Sequence, residues 1–255
     1  MDLGIKDKVV FVSGGAGDIG SCIVNSFVQQ GCKVIIGDMD MIKARKLASG
    51  YPNNQVAACF LDVTSEESVR QAVDFVKNNF GKLNVLVNTA GILCRKSFFD
   101  ATKEDFDKSF AVNVTGIFLL SQGMVPLIKE QGSGAIINIS SINGKLAIEN
   151  RIVYGPTKGA VNLLTQSMAL ELAPYNITVN AVAPGIVDSK MARVRLNTHE
   201  LRKQYASAIP LNRLSTPEDV ANCVVFLSSP YANYISGEII LVDGGLTARQ
   251  ALPKP

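Results

Sequence analysis

The sequence is poor in the residues that mark metal, disulfide and nucleic-acid-binding proteins. It has one histidine, His199, and five scattered cysteines that never form a C-x-x-C pair. Neither a zinc site nor a disulfide framework is therefore indicated, and a reducing compartment fits best. Charged residues make up only 18% of the chain, and the formal charge of +3 is not concentrated in a basic run. These features argue against a nucleic-acid partner.

Long hydrophobic segments are also lacking. No stretch approaches the roughly 20 apolar residues that span a bilayer. Residues 1–8 alternate charged and apolar side chains instead of forming the apolar core of a signal peptide. We therefore expect a soluble cytoplasmic protein that has no membrane partner.

The 255 residues, 47% of them apolar, are enough to bury one large core, and we expect a single domain over residues 1–255. Seven short apolar runs alternate with amphipathic, helix-like stretches. Strands covered by helices on both faces have this composition. The pattern predicts an α/β fold, a doubly wound (Rossmann) parallel sheet of about seven strands, with ligands beyond the carboxyl ends of the strands. The seven runs are 9–12, 33–36, 56–61, 85–87, 135–139, 177–179 and 239–242.

A glycine-rich turn follows the first predicted strand and leads into an amphipathic helix. Gly15, Gly17 and Gly20 match the dinucleotide-binding fingerprint G-x-G-x-x-G. Glycines allow a tight turn and let backbone N–H groups approach a pyrophosphate at the positive end of the helix. Alone, the motif is equally consistent with an ordinary strand-to-helix turn. The complete turn contains Ser13, Gly14, Gly15, Ala16, Gly17, Asp18, Ile19 and Gly20.

Asp38 ends the second predicted strand, about 20 residues beyond the glycines, where an acidic residue binds the adenosine ribose hydroxyls. Two unit charges ~4 Å apart at an effective dielectric constant of ~20 repel by about 4 kcal/mol, so this carboxylate should exclude the 2′-phosphate of NADP. The cofactor predicted is NAD. The alternative is a solvated loop aspartate, with Asp40 close behind it.

Several motifs in this order resemble those of the short-chain dehydrogenase/reductase family, over nearly the whole chain. The glycine turn is similar to the family's T-G-x-x-x-G-x-G, residues 88–91 to N-N-A-G, and residues 154–158 to Y-x-x-x-K. Pro184-Gly185 and residues 242–245 also fall where the family has them. The resemblance implies an oxidoreductase that interconverts a secondary alcohol and a ketone with a nicotinamide cofactor.

Tyr154 and Lys158 are four residues apart and would share one face of a helix. A nearby ammonium favours the phenolate and can lower the pKa of a tyrosine by roughly 1–3 units. Tyr154 could then serve as general base in alcohol oxidation and as general acid in carbonyl reduction. Pro156 is tolerated only in the first helical turn, so we expect the helix to begin shortly before it.

The resemblance assigns further catalytic roles. Lys158 would also hold the nicotinamide ribose, and Ser141 would hydrogen-bond the substrate oxygen. Ser141 is preferred to Ser140 because its interval to Tyr154 fits the family pattern. Asn113 matches the asparagine that anchors a proton-relay water, and it would otherwise read as an ordinary helical asparagine. No metal is required by this mechanism.

The resemblance also implies cofactor contacts outside the glycine turn. Asp62 and Val63 would meet the adenine, and the loop at residues 88–91 would lie against the ribose. Ser189 takes the place of a threonine that steadies the carboxamide and pyrophosphate. The complete set of these implied contacts is Asp62, Val63, Asn88, Ala90, Gly91, Tyr154, Lys158, Pro184, Gly185, Val187 and Ser189.

Two residues depart from the family pattern. Asp18 replaces the second glycine of the turn and would bring a carboxylate near two phosphates, unless its side chain turns away to cap the next helix. Thr89 replaces the second asparagine of N-N-A-G, and its hydroxyl can still make a local hydrogen bond.

Substrate identity depends on the residues around the catalytic group. We expect a polar, partly cationic lining and a small substrate such as a polyol, sugar or sugar acid, although the arginines could equally be solvated surface cations. A solvated loop position is the better interpretation of His199. Alternatives are reduction of a 3-oxoacyl thioester, action on a hydroxysteroid, or an NAD-binding sensor or scaffold without turnover. The candidate lining residues are Arg95, Lys96, Glu149, Asn150, Arg151, Arg193, Arg195 and His199.

Two regions look irregular, residues 186–210 and the tail 248–255. The first is long for a connection in a compact domain and predicts a substrate-binding lid. The resemblance further implies a homotetramer or dimer, with helices near 106–127 and 161–172 at its interfaces.

Overall fold

A computed structural model describes residues 2–52, 55–189 and 196–248. Its centre is a parallel sheet of seven strands in the order β3-β2-β1-β4-β5-β6-β7. The predicted fold class is confirmed. The strands are β1 (Val9–Ser13), β2 (Lys33–Asp38), β3 (Val56–Phe60), β4 (Val85–Asn88), β5 (Gly134–Ile139), β6 (Ile177–Pro184) and β7 (Ile239–Val242).

Helices cover both faces of the sheet. Several begin at a hydroxyl that caps the first turn, and Thr102 and Thr216 each form a capping box with an aspartate three residues later. The helices of the described residues are α1 (Asp18–Gln29), α2 (Met41–Ala48), α3 (Glu66–Phe80), α4 (Lys103–Phe110), α5 (Gly116–Lys129), α6 (Tyr154–Leu172), α7 (His199–Ala208) and α8 (Pro217–Leu227), with a π-helical turn Ala111–Thr115 joining α4 to α5.

The core consists of one apolar cluster on each face of the sheet. Alternate residues of β1 serve the two clusters, since Val10 and Val12 face α1 and α8 whereas Val9 and Phe11 face α3 and α5. Every residue of β1 is buried. Burial on both faces of the sheet therefore explains why such strands are continuous apolar runs that do not alternate with polar residues, as expected from the sequence.

The strand order reverses between β1 and β4, which are neighbours although they are not consecutive in the chain. Ser13 and Asn88 end these two strands side by side. Connections that leave in opposite directions open a crevice at this point, and ligands of doubly wound sheets bind there.

The structure corrects the interpretation of residues 186–210 as irregular. Residues 199–208 form helix α7, whose first turn is capped by the Thr198 hydroxyl. Its mixed charge hid the helix, because the segment lacks a clear apolar stripe. Residues 190–195, with Arg193 and Arg195, lie outside the described residues, as do residues 249–255 of the tail.

In the part of the chain that the structure describes, one helical run is apolar enough to qualify as a membrane span by length and composition, Lys103–Lys129, with a mean hydropathy of 1.6 over 18 residues. The expectation that no stretch approaches such a span was therefore too strong. In this fold Leu120, Met124 and Ile128 of that run are fully buried against the sheet. The run accordingly serves as a core helix.

Candidate active site

A groove of about 730 Å³ crosses the carboxyl ends of β1 to β4. A volume of this size suits a bound cofactor. Six residues of the glycine-rich region line it, namely Gly14, Ala16, Gly17, Asp18, Ile19 and Gly20, together with Asp38, Asp62, Val63, Ala90, Gly91 and Ser189.

Two glycines of the turn are required by close packing. Gly14 has a φ of +63°, and a Cβ there would stand 2.8 Å from the Cα of Ala90. A Cβ on Gly20 would overlap the carbonyl oxygen of Gly14. The turn therefore lies flat against the start of α1 and the loop after β4, and its backbone forms one wall of the groove.

Asp18 is the first residue of α1, and Gly17 occupies the N-cap position without any side-chain cap. The expectation that Asp18 caps the helix is therefore not met. An acidic residue in the first turn instead complements the positive end of the helix. Asp18 lines the groove in the region where phosphates are expected.

Asp38 links the end of β2 to the glycine turn. One carboxylate oxygen accepts a hydrogen bond from the backbone N–H of Ala16 at 3.0 Å, and the other accepts from the N–H of Asp40 at 2.9 Å. The side chain is half-buried at the rim of the groove. These bonds hold the carboxylate in place and leave its remaining lone pairs free to accept from a ribose.

The opposite wall comes from the residues after β3. The Asp62 carboxylate accepts hydrogen bonds from the backbone N–H and the hydroxyl of Thr64, at 2.9 and 2.7 Å. Val63 packs against Gly116 so closely that a Cβ on this glycine would stand 2.7 Å from a Val63 methyl. This contact fixes the wall against the start of α5.

Three residues of the predicted cofactor set lie behind the groove and do not line it. Asn88 is buried, and its amide donates to Ser121 and to Asn138, at 3.2 and 2.8 Å, while its Oδ1 has no hydrogen-bond partner. Its role in the fold is to brace β4 against β5 and α5. Ser13 and Gly15 are buried beneath the turn.

Thr89 makes the local hydrogen bond expected of it, since its hydroxyl donates to the backbone oxygen of Ser13. The Ser13 hydroxyl accepts in return from the N–H groups of Thr89 and Ala90, at 3.2 and 3.4 Å. Although Thr89 stands where the family has its second asparagine, the contact between β1 and the loop after β4 is therefore kept.

A second cavity, of about 340 Å³, continues from the groove. Ser141, Tyr154 and Lys158 all line it, as do Pro184, Gly185, Val187 and Ser189. Six residues line both spaces, namely Ile19, Thr89, Gly91, Ile92, Ile139 and Ser189. The predicted catalytic residues thus lie directly beside the predicted cofactor site.

The two candidate serines have different surroundings. Ser141 hydrogen-bonds the Tyr154 side chain and exchanges hydrogen bonds with Asn143, accepting from its N–H at 3.2 Å and donating to its Oδ1 at 3.3 Å. Ser140 also reaches the cavity, but its hydroxyl bonds the Asn162 side chain at 2.5 Å. The geometry favours Ser141 as the hydroxyl that faces a substrate.

Lys158 is buried in the first turns of α6 and donates a hydrogen bond to the backbone oxygen of Ile139 at 2.8 Å. Its Nζ lies 5.7 Å from the centroid of the Tyr154 ring. Burial lowers the pKa of this ammonium to about 8. The lysine can therefore exist in either charge state near neutral pH.

From the sequence, a lowered pKa is expected for the Tyr154 phenol, but in the structure this pKa is raised. Burial raises its pKa, and the Ser141 hydrogen bond and the charge of Arg151 oppose that effect without overcoming it. Lys158 is not among the groups that act on the phenol. The reason is its position, because its ammonium is directed to the Ile139 carbonyl.

Asn113 is fully buried in the π-helical turn. Its amide accepts from the N–H of Ile92 at 2.8 Å and donates to the Ile92 oxygen and the Thr157 hydroxyl, at 2.9 and 3.1 Å. The side chain thus ties the loop after β4 to helix α6. π-Helical turns often occur at functional sites, but no pattern in the sequence predicted this one.

Only some of the predicted substrate contacts reach the cavity. Arg95 and Arg151 line it, whereas Lys96, Glu149, Asn150 and His199 do not. His199 is exposed, but in helix α7, not in a loop. The predicted polar residues form only part of the cavity lining, because apolar side chains and a tyrosine that were not predicted from the sequence also line it. These additional lining residues are Leu93, Ile142, Ile148, Ile186, Leu196 and Tyr205.

Comparison with known proteins agrees with this geometry. Residues 14–247 match the family model described as enoyl-(acyl carrier protein) reductase. The chain is 37% identical to the 3alpha-hydroxysteroid dehydrogenase of Mediterraneibacter gnavus, over 94% of this chain and 97% of that protein. It is 36% identical to the 3-oxoacyl-(acyl-carrier-protein) reductase FabG of Aquifex aeolicus, over 96% of this chain and 100% of that protein.

Among solved structures, ElxO with NADP bound superimposes with a TM-score of 0.89 at 31% identity, covering 95% of this chain and 100% of that one. These proteins and this chain share one architecture over nearly their full lengths. The chain belongs to the short-chain dehydrogenase/reductase family, whose members are oxidoreductases that use nicotinamide cofactors.

Proposed function

We propose that the protein is an NAD(H)-dependent oxidoreductase that interconverts a secondary alcohol and a ketone on a small substrate. The main support for this proposal is that Ser141, Tyr154 and Lys158 line one cavity. That cavity has several lining residues in common with the glycine-lined groove. Reaction and cofactor would then occupy adjoining spaces, as hydride transfer requires.

The cavity side chains would divide the proton chemistry between them. The Ser141 hydroxyl donates a hydrogen bond to the substrate oxygen and positions it against the Tyr154 hydroxyl. Tyr154 takes the proton from an alcohol, or returns it to a carbonyl. The bound nicotinamide supplies the hydride acceptor or donor. The Lys158 ammonium lies 5.7 Å from the centroid of the Tyr154 ring and is held by the Ile139 carbonyl, and its pKa of about 8 lets it release or take up a proton near neutral pH.

NAD, and not NADP, is the cofactor we propose. Asp38 lies at the groove rim, already held by two backbone N–H groups, so it cannot turn away from a 2′-phosphate without losing both bonds. ElxO binds NADP, which makes the residue at this rim the feature to test. Asp18 adds a further acidic residue to Asp38 and Asp62 in the groove lining and is expected to weaken binding of either dinucleotide.

The substrate proposed is small and polar, such as a polyol, sugar or sugar acid. Arg95 and Arg151 support the acidic members of this group, and the apolar wall is less favourable for a neutral polyol. The similarity to a 3alpha-hydroxysteroid dehydrogenase and to FabG keeps hydroxysteroids and 3-oxoacyl thioesters as alternatives. Asp38 counts against the thioester, because biosynthetic reductases commonly use NADP.

An activity screen tests this proposal. Polyols, sugar acids, hydroxysteroids and 3-hydroxyacyl thioesters would each be offered with NAD and with NADP, and reduced cofactor would be followed by absorbance. We expect turnover of at least one class, with NAD preferred. A protein that binds NAD yet turns over none of these compounds in either direction would instead be the sensor or scaffold.

We also propose that residues 186–210 act as a lid on one domain that spans the chain. Leu196 and Tyr205 line the cavity from this segment, and Arg202 of α7 pairs with Asp188 beside it. Amide hydrogen exchange of α7, measured with and without cofactor and substrate, should show protection on binding. Equal exchange in both states would contradict the lid.

A homotetramer or dimer in the cytoplasm completes the proposal. Phe118, Leu163 and Leu170 are 45%, 65% and 80% exposed on the two helices implied in the interfaces. Side chains of this kind favour burial against another copy. Sedimentation velocity of the intact protein would give the state directly, and a monomer at micromolar concentration would contradict the proposal.

A further inference from the structure

The hydroxyl of Ser141 has more hydrogen-bond partners than its one proton can serve. It bonds the Tyr154 side chain, accepts from the backbone N–H of Asn143 at 3.2 Å and donates to the Oδ1 of Asn143 at 3.3 Å. A hydroxyl has one proton and two acceptor lone pairs. With that proton on Oδ1, the phenol of Tyr154 has to donate to Ser141. Neither hydroxyl then has a proton directed at a substrate oxygen.

The backbone of Asn143 is held firmly beside the catalytic residues. Ser141 caps the 3₁₀ turn at residues 142–144 by accepting from the N–H of Asn143. Gly144 packs this turn against α6, because a Cβ there would stand 2.6 Å from the backbone oxygen of Lys158. The backbone of Asn143 therefore has a fixed position relative to α6, and its remaining freedom lies in the side-chain amide.

The two ends of the Asn143 amide are both poorly placed for hydrogen bonding. Its Nδ2 is buried and has no hydrogen-bond partner in the described parts of the chain. Its Oδ1 lies 3.3 Å from the Ser141 oxygen, beyond the usual range of about 2.5–3.0 Å for an O–H···O bond. Because N–H···O bonds extend to about 3.2 Å, an N–H end suits this separation better.

A half-turn of the amide about its Cβ–Cγ bond exchanges these two ends, which are nearly equal in size. Nδ2 would then donate to the Ser141 oxygen, whose second lone pair already accepts from the Asn143 N–H. With both lone pairs filled, Ser141 could no longer accept from Tyr154. The protons of both hydroxyls would be released to the cavity, which all three residues line. The buried end of the amide would become a carbonyl oxygen, which is found unpaired more often than a buried N–H.

We infer that Asn143 is a positioning residue that sets the direction of the Ser141 proton. During reaction its Nδ2 faces the Ser141 oxygen, so that Ser141 donates to the substrate oxygen and Tyr154 exchanges its proton with the same atom. The amide acts through Ser141 and does not itself contact the reacting atoms. The inference rests on the proposed function, to which it adds the residue that orients the serine.

The first test replaces the amide by a neutral side chain of similar size. Asn143→Leu removes the Nδ2 donor, and kcat should fall roughly 3- to 10-fold with NADH and the ketone that the activity screen finds to be reduced fastest. The loss should appear in kcat more than in KM, because the serine bond is strongest to the charged oxygen of the transition state. If Oδ1 instead holds the serine proton, its removal frees that proton, and an unchanged or raised kcat would contradict the inference.

The second test keeps the shape of the amide and leaves only acceptors. In Asn143→Asp the carboxylate would hold the Ser141 proton, so kcat should fall by about 10²-fold, as on loss of one donor to a transition-state oxygen. The ratio of this kcat to that of the wild type should rise as the pH is lowered from about 7 to about 5, because a protonated carboxyl regains a donor. A ratio independent of pH would indicate a packing defect and overturn the inference, as would wild-type kcat.

Asn78, an exposed asparagine of α3 outside the cavity, supplies the control. Asn78→Leu and Asn78→Asp make the same changes of polarity and charge and should leave kcat as in the wild type. Thermal unfolding of all four variants gives the folded fraction by which each kcat is corrected.

A measurement without turnover separates this inference from the proposed function. If the wild type reduces no ketone, the proposed function fails, and neutron diffraction of the deuterium-exchanged wild type with NADH then decides the orientation of the amide. It also decides if the Asn143 variants do not fold. Deuterium on Nδ2 directed at the Ser141 oxygen supports the inference. Deuterium on Ser141 directed at Oδ1 contradicts it.

Discussion

The cofactor groove and the substrate cavity lie side by side, but backbone atoms contribute more to the walls of the groove and side chains more to the walls of the cavity. Backbone and small side chains of the glycine turn form much of the groove, and Asp38 places at its rim a carboxylate that two backbone N–H groups hold. The cavity is formed by larger side chains from the loop after β4, the segment before α6 and the region of α7. A local motif can therefore specify the groove, whereas the cavity depends on the tertiary arrangement of distant segments.

The largest effect should appear in the cavity, at Ser141. Ser141→Ala removes the hydroxyl that bonds Tyr154, and we expect kcat to fall roughly 10²–10⁴-fold, the range for losing a positioned proton-transfer partner. Ser140→Ala is the matched control, because its hydroxyl bonds Asn162. It should change kcat only a few-fold. Equal losses in steady-state kinetics for the two variants would refute the assignment.

In the groove, the corresponding test is the charge of Asp38. Asp38→Asn keeps the size of the side chain and removes the repulsion of a 2′-phosphate, worth ~2 kcal/mol even at half of the unscreened estimate. The ratio of kcat/KM for NAD to that for NADP should fall more than tenfold. Asp74→Asn, which removes an exposed carboxylate on α3 outside the groove, should leave the ratio unchanged. A preference that survives Asp38→Asn would show that another residue selects the cofactor.

The shape of the groove predicts a smaller effect on stability. Gly20→Ala places a methyl against the Gly14 carbonyl and should lower the free energy of unfolding by about 1–3 kcal/mol, the usual cost of overpacking. Gly159→Ala is the control, since a Cβ there meets only the Gly144 oxygen at 3.7 Å. Denaturant unfolding measures both. A Gly20 variant as stable as the control would mean that the turn is less tightly packed than described.

The smallest effect concerns the pH dependence of stability. Lys158 has a pKa of about 8 in the fold and an ordinary value of 10.5 when unfolded, so between these values the unfolded chain binds more protons. Its contribution to stability therefore rises with pH above about 8, by at most ~1.4 kcal/mol per pH unit, and its full cost is present below that pH.

Buried cysteines oppose this trend, because burial raises the pKa of Cys32 and Cys59 to about 12 and they favour the unfolded state above their ordinary pKa of 9.0. The wild type must therefore be compared with Lys158→Met, which lacks the lysine and keeps the cysteines. The difference in unfolding free energy between the two proteins should shift in favour of the wild type from pH 8 to 9.5. A difference independent of pH would contradict a buried, deprotonating Lys158.

The sequence predicted the sheet and the groove because both follow from short-range patterns. Apolar runs such as 9–12 reflect burial on both faces, and the glycines reflect the tight approach of Gly20 to Gly14. The position of Asp38 at the rim of the groove was predicted from its distance along the chain to the glycine turn. These features require no knowledge of which distant segments meet.

Features that depend on tertiary packing were not predictable. Helix α7 was missed because its first turn depends on the Thr198 cap more than on an apolar stripe. Asn88 turned out to brace the core, and Lys158 was found to bond the Ile139 carbonyl, which no spacing reveals. The apolar wall at Ile148 and Leu196 likewise comes from segments far apart in the chain.

The most direct test of the catalytic account is Tyr154→Phe, measured for turnover and for NADH binding in the same preparation. We predict that the phenylalanine variant binds NADH as the wild type does and loses turnover by roughly 10²–10⁴-fold, because only the hydroxyl has been removed. A variant that retains wild-type turnover would contradict the central role of this phenol.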